Sequence, residues 1–338
     1  MTLQLSGQIA PEDISGVKKL DRVRPVYLLV GDGGKIVVKR DNTPHAVDPR
    51  NMRTALRNMK VVDRTMATKQ LTRAEMQALS QFVELKRMEA EMFNSPLADD
   101  VKSLSQDLEV VGIVSWVKTN FFDGLVNLES AAAMVLNEGK KTGIKAIAAA
   151  LNLPGGFEKL GQILAVDAFN GNDDRFSFSN APVVNPGFRR LTNPGNVAVC
   201  LQDNVLRPVG MDAYAGNAEF RSVATAGPPD REWSGYRLRD DQRAWRNTFC
   251  AEVEADLEKS LHPKNRFVSL TRRLSHNAAP RLAAGMDQGI TLLRTKLLAM
   301  HAPAQRPPGL HARIIALGWG IQARGGLQPA PPPGQPRR

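Results

Sequence analysis

The chain has few cysteines and few histidines for its 338 residues. Its two cysteines, Cys200 and Cys250, lie in apolar runs, and its five histidines lie apart from the segments rich in Asp and Asn. Two cysteines exclude a disulfide framework and a multi-cysteine zinc site, and we expect both to be core residues. The histidines support neither a Ser-His-Asp triad nor a histidine-rich metal centre. Any metal ion is therefore expected to bind through oxygen or histidine ligands.

Aromatic residues and long apolar runs are also scarce. The formal charge of +11 could attract nucleic acid, acidic proteins or anionic lipid, but aromatics make up only 6% of the chain and do not alternate with Lys/Arg clusters. We therefore expect no nucleic-acid partner. No apolar run approaches the length of a membrane span, and the first residues lack the basic start and apolar core of a secretory signal. The sequence predicts a soluble protein with no membrane span.

The apolar patterns predict a mixture of strands and helices. Residues 25–40 predict a β-hairpin around a Gly-Asp-Gly-Gly turn, and residues 72–93 predict a helix with a Thr72–Glu75 capping box. The expected apolar face of this helix consists of Met76, Leu79, Phe82, Val83 and Leu85. The remaining predictions are a strand over 107–117, helices over 128–151, 157–169, 242–262 and 282–300, a loop over 170–194 and a hairpin over 197–209.

The segment 161–176, GQILAVDAFNGNDDRF, predicts an apolar helix that leads directly into a polar loop. Burial of the helix would fix Asp174 at the end of a rigid element, where its carboxylate could orient a substrate hydroxyl or accept its proton. Arg175 could orient a neighbouring carboxylate or main-chain carbonyl. The alternative for these residues taken alone is an Asx-rich turn that ends a helix.

Asn196 and Asp212 flank the predicted hairpin over 197–209. Asn196 comes immediately before the first strand and Asp212 follows the second, so a hairpin of this length would bring them together. Two oxygen donors at adjacent strand ends suit Mg²⁺, which takes few protein ligands and completes its octahedron with water and phosphate. Either residue alone is usually a turn residue, but the pair predicts a metal site. Asn180 is an alternative to Asn196 in this role.

Lys39 ends an apolar, β-branched run and is the candidate contact for the phosphates of ATP. The predicted helix that follows carries Glu84 and Glu89, either of which could pair with Lys39. The alternative is that Lys39 is one of many basic side chains and merely ends a strand. The order of lysine, then helix with glutamates, then catalytic loop favours the functional interpretation.

Three further features are candidates for nucleotide contacts. Gly16, in a polar stretch before the hairpin, could belong to a loop that covers phosphate, and the glycines of the 31–34 turn are a second possibility. The turn glycines could equally close the hairpin by supplying positive φ. Trp116 follows a predicted strand where an adenine contact would be expected, but a buried core tryptophan explains it as well.

Four sequence blocks together resemble the catalytic core of atypical kinases: VVKR, AVDAFNGNDDRF, NPGNVAV and PVGMDAY. The resemblance is to the lipid-kinase-like branch, the HipA-type kinases and in particular the actin-fragmin kinase catalytic domain. By this resemblance, Lys39 contacts phosphate, Asp174 is the catalytic aspartate, and Asn196 and Asp212 bind magnesium. Asp174 and Asn196 are 22 positions apart (196 minus 174), against about five in typical kinases, which implies an insertion. A phenylalanine follows the Asp-Arg pair where the lipid-kinase and HipA groups have histidine.

The resemblance implies an α+β, bilobal protein-kinase-like fold with ATP and Mg²⁺ between the lobes. Its parts would be a small mixed α/β N-lobe over 1–117, a mainly helical C-lobe over 118–300 and a disordered Pro/Arg-rich tail over 301–338. The implied reaction transfers the γ-phosphate of ATP to a protein hydroxyl, with a host or cytoskeletal protein among the candidate substrates. Such proteins can be bacterial effectors, cytoplasmic or secreted into a host cell without a cleaved signal peptide. The alternatives are a lipid kinase, a kinase-fold scaffold protein, and transfer of AMP or another group.

Overall fold

The computed structural model describes residues 3–21, 24–40, 57–110, 116–122, 124–170, 172, 174–178, 189–213, 242–262 and 274–300. The chain forms two compact units. Unit 1 comprises Met1–Arg53 and Thr65–Phe122, and unit 2 comprises Thr54–Arg64 and Asp123–Arg338. The division falls near the predicted boundary at residue 117, but a short segment between two strands of unit 1 belongs to unit 2. The described residues form helices and two antiparallel sheets, so the predicted α+β class is confirmed.

Unit 1 contains a five-stranded antiparallel sheet whose strand order is β1-β2-β3-β5-β4. The predicted hairpin is confirmed, because β2 and β3 pair with Gly31 opposite Gly34, and Gly33 lies in the turn with φ of 74°. Only glycine adopts this backbone conformation readily, which explains the glycine in the turn. The strands are β1 (Gly16–Lys19), β2 (Val26–Gly31), β3 (Gly34–Arg40), β4 (Thr68–Gln70) and β5 (Trp116–Asn120).

Helix α1 (Arg73–Met92) covers one face of this sheet. Its predicted capping box is confirmed: Thr72 Oγ1 accepts the Glu75 N–H at 3.2 Å, and Glu75 Oε2 accepts the Thr72 N–H at 2.9 Å. Leu79 is buried in the core, but Leu85 is 49% exposed, so its assignment to the apolar face was wrong. Six residues of helix place Leu85 about 120° around the axis from Leu79, away from the sheet.

The strand predicted over 107–117 was wrong in its first part. Residues 107–109 are the last residues of helix α2 (Asp99–Glu109), and β5 begins at Trp116. Helix α2 begins with two aspartates, whose charges are favourable beside the N-terminal end of the helix dipole. Its buried residues Val101, Leu104 and Ser105 have the spacing of one helix face. The helix continues to Glu109.

Unit 2 places a small sheet among packed helices. The predicted helices and the predicted second hairpin are confirmed, with small shifts at their ends. The sheet has the order β6-β7-β8, with β6 (Val126–Asn127), β7 (Ala198–Gln202) and β8 (Val205–Val209). The helices are α3 (Leu128–Glu138), α4 (Thr142–Asn152), α5 (Gly156–Asn170), α6 (Gln242–Leu261) and α7 (Ala278–Met300).

Helix α5 positions the polar loop that follows it. It is buried along most of its length and packs closely on α7, because a Cβ at Gly161 would overlap the Leu282 carbonyl oxygen and one at Gly285 would overlap that of Glu158. A helix held this tightly fixes its last residue, Asn170, and the start of the loop. Among the described helices, none combines the length and apolarity needed to cross a bilayer. The predicted tail, residues 301–338, lies outside the described residues.

Candidate functional site

Asp174 and Asn196 are in direct contact in unit 2. The Asn196 Nδ2 group donates a hydrogen bond to Asp174 Oδ2 at 2.9 Å, and Asn193 Nδ2 donates to Asp174 Oδ1 at 3.4 Å. Asn196 ends a short 3₁₀ helix, Pro194–Asn196, immediately before β7. Each carboxylate oxygen of Asp174 therefore accepts an amide N–H, which holds this half-buried side chain in one orientation.

Asp212 lies at the same end of the β7–β8 hairpin as Asn196. Ala198 is opposite Val209 in the register, so the chain two residues before β7 and three residues after β8 meets at this end. Asp212 has φ of 46°, a left-handed conformation that is uncommon for residues other than glycine and that concentrates at functional sites. The expectation that the hairpin brings Asn196 and Asp212 to one place is confirmed.

Asn172 connects the Asp174 loop with the Asp212 segment. Its Nδ2 group donates to the Asp212 carbonyl oxygen at 3.0 Å and to Asp167 Oδ1 at 2.9 Å, while its Oδ1 accepts the Asp174 N–H at 3.3 Å. Asn172 is 1% exposed, so nearly all of its hydrogen-bonding capacity is used inside the protein. The sequence interpretation missed its role and that of Asn193. The asparagines of the polar loop were the available signal, but turn-forming asparagine is common in loops.

Arg175 connects the chain just before β7 with the chain just after β8. Its Nε donates to Asp167 Oδ2 at 2.7 Å, and its other nitrogens donate to the carbonyl oxygens of Asn196 and Met211. Arg175 is 1% exposed and Asp167 is fully buried. A planar guanidinium group carries several N–H donors in a fixed arrangement, which suits simultaneous bonds to one carboxylate and two carbonyl oxygens. The expectation that Arg175 orients a carboxylate or a carbonyl is confirmed for both groups.

Burial raises the pKa of Asp167, while the charge and hydrogen bond of Arg175 and the hydrogen bond of Asn172 act in the opposite direction. A buried ion pair of this kind adds little net stability, but removing one partner leaves an uncompensated charge. The pair therefore acts mainly to fix the geometry around Asp174 and Asp212.

The predicted magnesium site would need few protein ligands, because magnesium completes its octahedron with water and phosphate. Among the described residues, no group of three or more His, Cys, Asp or Glu side chains could hold a metal ion. Within the same residues, no donor is hydrogen-bonded to Asn196 Oδ1, whose amide Nδ2 is already used by Asp174. Asn196 and Asp212 would thus supply two oxygen ligands, with phosphate and water supplying the others. Asn180, the alternative ligand, lies outside the described residues.

Lys39 lies on β3 in unit 1, but its expected pairing with α1 was wrong. Ile36 and Val38 belong to the core cluster that α1 covers, so the alternation of side chains places Lys39 on the opposite face of the sheet. Glu84 instead pairs with Arg87 at 2.7 Å, and Glu89 pairs with Lys86 at 2.7 Å. Both glutamates are more than half exposed and pair with residues of their own helix, on the other face of the sheet from Lys39.

The buried lysine–glutamate pair of unit 1 is formed by Lys118 on β5 and Glu75 on α1. Their side chains are 4% and 2% exposed, and Lys118 Nζ also donates to the Gly7 carbonyl oxygen at 2.6 Å. The sequence interpretation treated Glu75 only as a capping residue. A lysine directly after Trp116-Val117 in an apolar strand was the signal that could have identified its partner.

The other candidate nucleotide contacts of unit 1 have structural roles or remain predictions. Trp116 is 5% exposed and stacks on Tyr27 at 6.3 Å between ring centroids, which supports the alternative of a core tryptophan, while its assignment as an adenine contact stays a prediction. A Cβ at Gly31 would overlap the Asp13 carbonyl oxygen, and one at Gly34 would overlap that of Leu3. These glycines therefore allow the N-terminal segment to pack on the hairpin. The role of Gly16, the first residue of β1, stays a prediction.

The two cysteines are buried, as expected. Burial raises the pKa of the Cys250 thiol to about 12 and also raises that of Cys200, so both are protonated at neutral pH. Protonated, buried thiols are poor nucleophiles and poor metal ligands.

Comparison with known proteins does not assign the chain to a family. No protein-family model matches it, and no curated protein sequence matches it. The resemblance to atypical kinases therefore remains a prediction that depends on short sequence blocks. The geometry of Asp174, Asn196 and Asp212 is the basis on which a function can be argued.

Proposed function

We propose that this chain is an ATP- and Mg²⁺-dependent phosphotransferase that transfers the γ-phosphate to a protein hydroxyl. The observation that carries the proposal is the 2.9 Å hydrogen bond between Asn196 and Asp174 at the hairpin end that also bears Asp212. These residues are far apart in sequence, and their types match the aspartate base and the two metal ligands that phosphoryl transfer requires. Chance turn residues have no reason to converge in this way.

Asp174 would act on the acceptor hydroxyl. Its carboxylate is held by two amide donors but retains lone pairs for a substrate hydrogen bond. The acceptor oxygen attacks the γ-phosphorus, the bond between that phosphorus and the bridging oxygen of ADP breaks, and the hydroxyl proton passes to Asp174. ADP leaves with the electrons of the broken bond. Asp174 thus both positions the acceptor and takes its proton.

Asn196 and Asp212 would hold magnesium, which neutralises phosphate charge when bound. Asn196 is oriented by its own bond to Asp174 and by the Arg175 contact to its carbonyl oxygen. Asp212 is oriented by its left-handed backbone and by the Asn172 contact to its carbonyl oxygen. Both ligands are therefore fixed by surrounding hydrogen bonds, as metal ligands usually are.

Lys39 is the residue that the proposal assigns to the phosphates of ATP. It lies on the third strand of its sheet, the position of the phosphate-binding lysine in protein kinases. Its strand neighbour on the same face is Val37, and Lys39 lies opposite Val26 and Val117 in the register. An apolar surface with a lysine at its margin is suited to a nucleotide. Gly16 remains the candidate for a phosphate-covering turn.

The acceptor class follows from the resemblance to the actin-fragmin kinase domain, which favours a protein over a lipid. Purified actin and casein are suitable protein acceptors, and phosphoinositide vesicles are the corresponding lipid acceptor. Labelling of actin, casein or the chain itself supports the proposal. Labelling of the vesicles alone would replace it with a lipid kinase that uses the same residues.

The test is transfer of label from γ-labelled ATP in the presence of Mg²⁺. We expect Asp174→Asn to lower the initial rate by a factor on the order of 10² to 10⁴, because it removes the base but keeps the shape. Asp212→Asn should lower the rate through a weakened metal site. Asp203→Asn is the control, because it changes an exposed aspartate in the turn of the same hairpin. Equal labelling by all four proteins would overturn the proposal.

A further inference from the structure

A segment of the N-terminal half of the sequence contacts residues close to the proposed metal ligand Asp212 in sequence. Residues 57–62 are helical and lie in sequence between β3 and β4 of unit 1, yet they belong to unit 2. Asp63, at the end of this helix, is fully buried. A buried carboxylate is costly unless it is paired and hydrogen-bonded. Its partners therefore indicate what it does.

Asp63 fixes the backbone two residues before Asp212. Its Oδ2 accepts the N–H of Gly210 at 2.9 Å, a bond that is itself buried. Gly210 also packs closely on Met59, because a Cβ there would overlap the Met59 side chain unless that side chain shifted. Met59 is fully buried in the same helical segment. Gly210 is thus held by a hydrogen bond and by packing.

Asn58 supports the backbone on the other side of Asp212. Its Nδ2 donates to Asn170 Oδ1 at 2.8 Å, and Asn170 Nδ2 donates to the Ala213 carbonyl oxygen at 3.4 Å. Asn58 and Asn170 are both buried. The helical segment and Asp63 therefore contact Gly210 directly and reach Ala213 through Asn170, on the two sides of the left-handed residue at which the metal site is proposed. Fixed contacts on both sides can maintain an uncommon backbone conformation.

Lys159 supplies the counter-charge of Asp63. Its Nζ lies 3.9 Å from Asp63 Oδ1 and also donates to the Val62 carbonyl oxygen. Burial lowers the pKa of Lys159, and the charge of Asp63 acts against this change. The 3.9 Å separation leaves the Gly210 N–H as a closer partner of the carboxylate than the lysine.

We propose that Asp63 is a positioning residue that holds the metal-binding segment 210–213, with Asn58 and Met59 as its supports. This inference rests on the proposed function, because it assigns Asp212 to the metal. Asp63 acts through the backbone and does not itself touch metal or substrate. Surrounding hydrogen bonds that orient a metal ligand typically contribute a factor of about 10 to 100 in metal affinity or activity.

The first test needs no nucleotide. Amide hydrogen exchange over residues 210–213 is compared in the wild type, Asp63→Ala and Asp63→Asn. We expect exchange at least about tenfold faster in Asp63→Ala, since the carboxylate bond is lost, and near wild-type exchange in Asp63→Asn, which keeps an acceptor oxygen. Retained protection in α5 shows that Asp63→Ala is folded. Unchanged exchange over 210–213 in a folded Asp63→Ala would overturn the inference.

A matched control separates this effect from general loosening. Glu254 Oε2 accepts the Ala279 N–H at 2.9 Å and thus makes the same kind of bond elsewhere in unit 2. Glu254→Ala should speed exchange near Ala279 and leave residues 210–213 unchanged. Faster exchange over 210–213 in this variant would mean that Asp63 has no special role there.

The second test measures the Mg²⁺ concentration for half-maximal phosphate transfer at saturating ATP. Asp63→Ala should raise it by about tenfold or more, with Asp63→Asn close to the wild type. A lowered maximal rate with unchanged Mg²⁺ dependence would overturn the metal-positioning role. A wild type with no Mg²⁺- and ATP-dependent activity would overturn the proposed function and that role together, while hydrogen exchange still decides whether Asp63 holds the segment.

Discussion

At the scale of single residues, Arg175 links three parts of unit 2 that are distant in sequence. It bonds the Asp167 carboxylate on α5, the Asn196 carbonyl oxygen before β7 and the Met211 carbonyl oxygen after β8. A lysine could not reproduce this, since an ammonium group lacks the planar fork of a guanidinium. Arg175 is therefore one of the buried side chains on which the geometry of the candidate site depends.

Replacing Arg175 should be strongly destabilising. Arg175→Ala leaves Asp167 buried without its partner, which typically costs about 3 to 5 kcal/mol. Urea unfolding of the variant and the wild type measures the difference. Glu84→Ala is the control, because its pair with Arg87 is largely exposed and should contribute about 1 kcal/mol or less. Similar losses in the two variants would contradict the structural role of Arg175.

The buried pair between Glu75 and Lys118 should make stability depend on pH. Burial alone would raise the pKa of Glu75, but hydrogen bonds from Lys118 and from the N–H groups of Thr72 and Ile9 lower it below its ordinary value of 4.5. A lowered pKa in the folded state contributes stability above the unfolded-state value, and this stability is lost as the pH falls through the folded-state value.

We therefore expect Glu75→Gln to be less stable than the wild type at neutral pH, with a difference that shrinks below pH 4.5. The free energy of unfolding at several pH values measures this. Leu79→Ala, on the same helix, is the comparison, because its loss of packing should not depend on pH. A Glu75→Gln difference that stays constant as the pH falls would count against the charged buried pair.

At the scale of elements, α1 presents two apolar faces of which only one is buried. Leu79, Phe82 and Val83 pack in the core, whereas Leu85, Met88 and Met92 are 49%, 64% and 72% exposed. Periodicity identified the helix but could not show which apolar residues face the sheet. That choice is made by the strands, which are formed by other parts of the chain.

A matched pair of leucines on α1 tests this division. Leu79→Ala should cost about 2 to 5 kcal/mol, because it removes a fully buried side chain. Leu85→Ala should change stability by about 0.5 kcal/mol or less, as surface substitutions usually do. Denaturant unfolding of each variant and of the wild type measures both changes in the free energy of unfolding. A cost for Leu85→Ala equal to that for Leu79→Ala would contradict the orientation of α1.

Elements with local signals were predictable from sequence. The two hairpins carry turn residues, α1 carries a capping box and α5 carries a continuous apolar pattern, so each was found close to its observed bounds. The meeting of Asp174 and Asn196 was also predictable, because the hairpin fixes one partner and the buried α5 fixes the other. The pairing of Lys39 with Glu84 or Glu89 failed because it depends on which sheet face a helix covers.

At the scale of the whole molecule, each unit carries candidate residues of its own. Lys39 belongs to unit 1, while Asp174, Asn196 and Asp212 belong to unit 2. Unit 2 also includes the segment 54–64, which is bounded in sequence by unit 1 on both sides. Its contacts to Gly210 and Asn170 were not predictable, since neither Asn58 nor Asp63 carries a recognisable local pattern.

The most direct measurement of the central claim is the stabilisation of the protein by ATP and Mg²⁺ together. A ligand at a hundredfold excess over its Kd stabilises the folded state by about 2.7 kcal/mol. We expect the unfolding midpoint to rise only when ATP and Mg²⁺ are both present, and to rise much less in Asp212→Asn than in Asp203→Asn. A rise that persists without Mg²⁺, or that is equal in the two variants, would contradict a metal–nucleotide site at Asn196 and Asp212.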